Sequence, residues 1–368
     1  MILFDHGPDG KPACFDRPRE LVRADTAEEV LPALARAERA RRDGAWVAGW
    51  MAYEAGLAFE ERLPPRPTGE PLLLFGLYDA PGPVPAHAAG PVRLAPLEPL
   101  IGRADYDRAF DRVQAYIAAG DCYQVNLTFP IGTRLLSGTP RDLAAALAAL
   151  QPVGFGAFAD MGVGPVIVSR SPELFFRLSA DGQIEARPMK GTAPRHPDPA
   201  RDAAAARGLA ASVKDRAENL MIVDLLRNDL SRIARVGSVA VPELFAVETF
   251  ATVHQMTSRI TARLAGPPEL SGLMRALFPC GSITGAPKIR AMQIIAELEP
   301  HPRGIYCGTM GWMAPDGSAA FSVAIRTLAI RGASVTLNVG GGIVSDSRAD
   351  SEWEEALWKA RYIAPLTG

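Results

Sequence analysis

The feature that most restricts how this chain can fold is the pair Asp181-Gly182, set between two β-rich runs at residues 173–179 and 183–187. An Asp-Gly pair flanked by strands signals an antiparallel hairpin, because glycine supplies the left-handed backbone that a tight turn requires. A two-residue turn sets Glu173 opposite Lys190, carboxylate facing amine on one side of the ladder. A three-residue turn, Ala180-Asp181-Gly182, shifts the ladder by one and sends the two side chains to opposite faces. The two-residue register is the working expectation. The hairpin runs into Arg187-Pro188-Met189-Lys190-Gly191-Thr192, where proline fixes the approach and glycine lets the backbone turn, a rigid setting for a lysine. Taken alone, Lys190 reads equally well as a solvated loop lysine with Glu173 as a surface partner.

Other stretches repeat the strand signal. Residues 122–129 alternate, with Tyr123, Val125, Leu127 and Phe129 on one face and Gln124, Asn126 and Thr128 on the other, a polar face that is either solvated or a site. Residues 253–264 alternate too and turn His254 inward; the ordinary reading of such a histidine is a satisfied core residue. A second hairpin, 305–314 with 319–330, surrounds Pro315-Asp316-Gly317. A three-residue loop there pairs Tyr306 with Arg326, as a carboxylate clamp or as an arginine tied to a buried acid. The strand 334–342 ends in Gly340-Gly341-Gly342, whose amides are expected to be free to approach a ligand. Residues 46–53 and 72–78 read as buried strands. Helices are expected from Thr26 to about 42, from 105 to Gly120, over 140–150, from Ser212 to about 229, from Thr284-Pro287 through 298, and around 352–359. Intermixed helices and tight hairpins predict an α+β fold: two largely antiparallel β-sheets layered with outer helices. The proline-dense stretches 64–71 and 81–99 suit connections. They set a soft division at residue 100 between an N-terminal segment, 1–99, packed into the same body, and a main domain, 100–368.

Composition excludes several classes of function. With 368 residues, 48% of them hydrophobic, the chain can bury a large core. The net charge is -2 and basic residues are interspersed with acidic ones, so nucleic acid is not an expected partner. Mean hydropathy is +0.05 with no long apolar run, so no membrane span is expected. The opening Met-Ile-Leu-Phe-Asp-His lacks a secretory pattern, and a cytoplasmic address is the expectation. Cys14, Cys122, Cys280 and Cys307 are too scattered for a disulfide framework and read as reduced and packed. Gly281-Ser-Ile-Thr-Gly-Ala-Pro-Lys288 lacks the ending of a phosphate loop.

The candidate site rests on spacing. Asp215 with Glu218, and Glu352 with Glu355, are acids three apart on two helices; dipole compensation and surface decoration are their ordinary readings. If they converge, an oxygen-only donor set suits Mg²⁺, completed by water and substrate oxygens. Together with the Arg-Tyr clamp, the glycine amides and Lys190, they describe a site for a small polyanionic carboxylate.

Residues 100–365 resemble the chorismate-utilising enzymes. The resemblance is carried by Tyr123-Gln-Val-Asn-Leu127, Ser171-Pro-Glu-Leu-Phe175, Pro188-Met-Lys-Gly-Thr192, Asp215-Arg-Ala-Glu-Asn219, Asp224-Leu-Leu-Arg-Asn-Asp-Leu230, Gly285-Ala-Pro-Lys288, Ile325-Arg-Thr-Leu328 and Gly340-Gly-Gly342. It implies two layered subdomains around a central cleft and chorismate as substrate. It further implies Mg²⁺ on Glu218 and Glu355, with Asp215 and Glu352 as outer acids. Arg326 and Tyr306 would take the carboxylate of the enolpyruvyl arm, helped by amides of Gly340, Gly341 and Gly342. Lys190 is implied as nucleophile and Glu173 as the acid that protonates the departing 4-hydroxyl; Thr192, His254 and Lys288 match positioning groups.

Lys190 stands where anthranilate synthases carry alanine in Pro-Ile-Ala-Gly-Thr, and Gln124 where water-adding members carry a lysine base. The resemblance is therefore strongest to the branch that converts chorismate and ammonia to 4-amino-4-deoxychorismate, a precursor of para-aminobenzoate and folate. No cysteine here has a nucleophile-elbow setting, so the resemblance implies a separate glutamine amidotransferase subunit as ammonia source. Met189 replaces the usual isoleucine, the first hundred residues match less distinctly, and no Leu-Leu-Glu-Ser tryptophan motif is present. Two alternatives stand beside this reading: a pyruvate-eliminating anthranilate synthase component, and a catalytically silent chorismate-binding regulatory subunit. A neutral Lys190 beside Glu173 requires a protonated glutamate in the substrate complex.

Overall fold

A computed structural model describes residues 1–63, 66–250 and 253–368; residues 64 and 65, which open the first proline stretch, lie outside them. Two ten-stranded sheets form the body. In sheet one the order is Gly285–Ala286, Gln124–Ser137, Ser334–Ile343, Thr327–Arg331, Val166–Ser171, Phe155–Ala159, Ile2–Phe4 and Ala13–Phe15, with two short strands added beside Gln124–Ser137. In sheet two it is Met189–Pro194, Val253–Arg263, Gln183–Arg187, Leu174–Leu178, Ala319–Val323, Thr309–Met313, Trp46–Met51, Leu73–Tyr78 and Glu20–Ala24; Ala240–Thr249 also pairs with Val253–Arg263. Neighbouring strands in both sheets run antiparallel, as tight hairpins require. The first hundred residues are not a separate layer: they supply outer strands to both sheets.

The first hairpin takes the three-residue form. Leu178 faces Ile184, Ser179 N–H donates to Gln183 O at 2.9 Å, and Gly182 adopts φ 83°. The two-residue register is corrected, because a glycine in the third loop position absorbs the left-handed turn with less distortion of the flanking strands. Glu173 and Lys190 nevertheless share one cavity. Pro188 ends the Gln183–Arg187 strand, and Lys190 rides on the next one, Met189–Pro194, which pairs with Val253–Arg263 and is bulged between Met189 and Thr192.

The second loop, Pro315-Asp316-Gly317, forms as expected, with Ala314 N–H donating to Ser318 O and Gly317 at φ 92°. The strand after it does not run through to 330. It breaks at Ala324–Arg326, with Arg326 at φ 50°, and the chain passes from sheet two into sheet one. A second passage lies beside it: Val166–Ser171 belongs to sheet one and Leu174–Leu178 to sheet two, joined through Pro172-Glu173. The two crossings are bonded together, Arg170 N–H to Arg326 O at 2.9 Å, Val323 N–H to Glu173 O at 3.1 Å, and Ser171 Oγ to Val323 O at 2.6 Å. Glu173 and Arg326 are thus fixed at the seam where the two sheets exchange chain.

Two helices carry the acids. Val213–Ser231 is capped by Ser212, whose Oγ accepts from Asp215 N at 3.2 Å, and it buries Ile222, Val223, Leu226 and Leu230. Ala349–Lys359 is held to sheet one through Trp353, stacked on Phe129 at 4.5 Å with Tyr106 edge-on at 5.0 Å. Each such aromatic pair contributes about 0.5–1.5 kcal/mol beyond its buried area. Thr284 is not the cap of the helix Lys288–Leu298; its hydroxyl turns back to Cys280 O and Gly281 O, and Pro287 stands at the N-cap. The helix Pro199–Ala211 and the strand Ala240–Thr249 have no counterpart in the sequence reading.

Candidate active site

A cavity of about 710 Å³ opens at the seam, lined by Glu173, Lys190, Thr192, Asp215, Glu218, Tyr306, Arg326, Gly340, Gly341, Gly342, Glu352 and Glu355. Twelve of the fourteen candidates therefore meet in one place. His254 and Lys288 are the exceptions. His254 is buried with Nε2 at 2.9 Å from Asp202 and Nδ1 at 3.0 Å from Thr249 Oγ1, and its strand neighbour Gln255 reaches the cavity instead. Lys288 pairs with Asp229 at 2.5 Å and donates to Leu277 O at 3.1 Å. Both are spent on protein partners, so the expectation that they position a ligand is corrected on their placement.

The Lys190 amine reaches deep into the cavity, 3.0 Å from where a Cβ on Gly342 would stand, beside the Gln124 amide. Burial pushes its pKa down, assisted by the Lys359 charge and opposed by Glu218, Glu173 and Glu355. Gly191, at φ 85°, lets this strand pass Asp215, whose Oδ1 lies 2.8 Å from the missing Cβ. Glu173 is 4% exposed and its Oε1 lacks a hydrogen-bond partner. Burial raises its pKa to about 7, against the pull of the Ser282 hydroxyl and the Lys190 charge. An acid that keeps its proton near neutrality thus shares the cavity with an amine that sheds its own early, a pairing suited to proton transfer.

Arg326 lines the same cavity. Burial lowers its pKa, and the one compensating charge it feels among the described residues is the Tyr362 phenol. A guanidinium with no protein carboxylate is set up for an incoming anion.

The glycine amides are not all free. Gly340 O accepts from Lys359 Nζ at 2.8 Å, so Gly340 points away from its neighbour strand, while Asn126 and Thr128 turn their N–H groups outward to Thr284 O and Glu299. Antiparallel alternation then commits Gly341 to Leu127 and leaves the amides of Gly340 and Gly342 on the side that Thr327–Arg331 does not cover.

The acids converge as expected. Burial raises the pKa of Glu218, with Asp215 and Glu352 adding; burial raises that of Glu352, with Glu355 adding. Burial pushes the Glu355 pKa up, but Lys359 at 2.8 Å, together with Lys190 and Lys214, holds it below the ordinary value. Among the described residues no three potential ligand side chains gather closely enough to grip a bare ion. Mutually repelling carboxylates that need outside oxygens to complete a shell fit Mg²⁺, which keeps water and substrate oxygens. The polar face of 122–129 proves to be wall rather than surface: Gln124 is fully buried and Asn126 lines the cavity. Gln255, Ser282, Lys214 and Lys359 also line it; of these only Lys359, at helical spacing from Glu355, carried a signal in the sequence.

The seam thus gathers a guanidinium, a buried amine and four carboxylates around one cavity. Residues 80–365 match the family model for chorismate binding enzymes, and the chain belongs to that family. It is 47% identical over 261 residues to aminodeoxychorismate synthase component 1 of Escherichia coli (strain K12), a stretch covering 71% of this chain and 57% of that one. It is 41% identical over 261 residues to anthranilate synthase component 1 of Streptomyces coelicolor, covering 71% and 50%. The chain thus matches little more than half the length of these relatives. Its fold is that of anthranilate synthase component I from Streptococcus pneumoniae, with a TM-score of 0.81 at 23% identity over 98% of this chain and 91% of that one. Among the described residues no helix is long and apolar enough to cross a membrane.

Proposed function

We propose that this chain acts as an aminodeoxychorismate synthase component 1, converting chorismate and ammonia to 4-amino-4-deoxychorismate. The observation that carries the reading is the desolvated Lys190 amine, sharing one cavity with Glu173, whose pKa burial raises to about 7, and with an arginine that has no carboxylate partner among the described residues. Greater identity to the aminodeoxychorismate synthase relative than to the anthranilate synthase relative supports it.

Arg326 and Tyr306 take the enolpyruvyl carboxylate, with the open amides of Gly340 and Gly342 beside them. Glu218 and Glu355 would hold Mg²⁺, with Asp215 and Glu352 as further acids, and such an ion would supply positive charge for the ring carboxylate. Lys190 forms a bond from Nζ to the ring as the 4-hydroxyl departs, and Glu173 gives that hydroxyl its proton so that it leaves as water. The carboxylate recovers a proton from the alkylated amine. Ammonia then displaces Lys190, which leaves as a neutral amine with the proton Glu173 returns. Thr192, bonded to Gln255 at 3.0 Å, steadies the lysine strand.

The four cysteines are buried and free, and burial pushes Cys280 and Cys307 up to about 12, so neither is prepared to attack glutamine. Ammonia from a separate glutamine amidotransferase subunit fits this chemistry, and a cytoplasmic address is part of the proposal. Product analysis with chorismate, Mg²⁺ and ammonium tests the reading. A product that keeps the enolpyruvyl group is expected; anthranilate with free pyruvate would replace it with the rival assignment, and no product at all would favour a silent binding subunit.

A further inference from the structure

Behind the cavity wall lies an ionic knot that the chemistry above leaves unused. Arg303, 4% exposed, donates to Glu299 through Nε at 2.8 Å and Nη2 at 2.7 Å, a forked pair with a carboxylate that is itself 4% exposed. The same guanidinium donates to Ile283 O at 3.0 Å and Asn126 O at 2.6 Å. It lies 4.5 Å over the Tyr53 ring, while the Arg303 backbone N–H donates to Glu54 at 2.6 Å. Glu299 also accepts from Thr128 N–H and Oγ1.

The presence of such a pair is weak evidence for a net gain in stability. Desolvating two charges costs about as much as their attraction returns, and apolar residues of equal volume often serve as well. Its distinguishing feature is where the spare donors go. Asn126 and Ile283 both line the cavity; Asn126 follows Gln124 on the strand facing Lys190, and Ile283 follows Ser282, the hydroxyl that acts on Glu173. The carbonyls belong to separate elements, which the backbone ties once through Asn126 N–H to Thr284 O at 2.8 Å; the rigid planar cation adds a second tie that fixes the spacing of the two carbonyls.

We infer that Arg303, backed by Glu299, is a positioning residue: by bridging Asn126 O and Ile283 O it sets the distance between the wall beside Lys190 and the wall beside Glu173. Arg326 takes no part in this bridge, so the inference separates the rate of the chemical step from the strength of anion binding. It rests on the lysine reading above, with an added readout that does not.

The test compares Arg303→Lys, which keeps the charge opposite Glu299 but cannot span both carbonyls, with the double variant Arg303→Met/Glu299→Leu. Three quantities are measured: thermal midpoint, Kd for chorismate with Mg²⁺, and the rate of lysine adduct formation without ammonia. Expected for Arg303→Lys is an adduct rate at least about 10-fold lower with Kd changed less than about 3-fold, as a misplaced wall produces. The double variant is expected to fold and show the same split. A wild-type rate in a folded variant would overturn the inference. So would parallel loss of rate, affinity and thermal midpoint, or failure of both variants to fold, since either assigns the pair to stability alone. If the wild-type protein forms no adduct, the lysine mechanism fails instead, and the split is read from chorismate consumption.

Discussion

Arg303 and Arg326 are both drawn into the protein interior, and they live by opposite rules. Arg303 is surrounded by a carboxylate, two carbonyls and an aromatic face, and four of its five N–H donors are committed to protein acceptors. Arg326, at the crossing between the sheets with φ 50°, feels no protein carboxylate among the described residues. The same contrast divides the lysines: Lys288 is consumed by Asp229, whereas Lys190 is desolvated with carboxylates around it at a distance. Burial alone does not mark a functional group. A buried charge without a dedicated partner does, because folding tolerates that cost only where a ligand returns it.

The largest effect expected from this contrast is at Lys190. Lys190→Ala should abolish adduct formation and lower turnover by about 10³-fold or more while chorismate still binds, as measured by product formation and calorimetric titration. Retained turnover with release of pyruvate would place the chain with the pyruvate-eliminating alternative.

Glu173→Gln should lower turnover by about 10²–10⁴-fold. Its stability effect has a defined sign. The folded pKa of about 7 lies above the ordinary 4.5, so the wild-type protein loses stability as pH rises between those values. Wild type and variant should melt alike near pH 4.5, and the variant should be more stable at pH 8 by about 1–3 kcal/mol. The wild-type rate should itself fall as pH rises through about 7, as the acid loses its proton. A flat profile would break the assignment.

Arg326→Met should weaken chorismate binding by about 10–100-fold, the size of one charge-assisted hydrogen bond, without lowering the thermal midpoint. A drop in midpoint would show a hidden partner and blunt the comparison with Arg303. Smallest is His254→Gln, predicted to change Kd for chorismate less than about 3-fold, since its ring serves Asp202 and Thr249.

How far the sequence could be read follows the same division. Local signals held: Pro315-Asp316-Gly317 formed its loop, Ser212 capped its helix, and acids three apart met in the cavity. Alternation also turned His254 inward, and the ordinary reading of that histidine as satisfied describes its bonds. Long-range exchange was illegible. Residues 319–330 read as one apolar strand run with no glycine or proline to mark a break, so nothing in their pattern tells that Ala324–Arg326 changes sheets, yet that change puts Arg326 at the seam. Glu299 and Arg303 flank Pro300 and Pro302 just past the end of a helix, and nothing in that local pattern foretells that they are buried together. The glycine run promised three open amides, and only pairing with Gln124–Ser137 decides which remain.

The central claim is that a desolvated amine at Lys190 forms a bond to the substrate ring. Mass spectrometry of the protein incubated with chorismate and Mg²⁺, without ammonia, tests it most directly. The account predicts a mass gain of one chorismate less one water, mapped to the peptide holding Lys190 and discharged by ammonium. Unmodified protein under saturating chorismate, or an adduct on another residue, would contradict it.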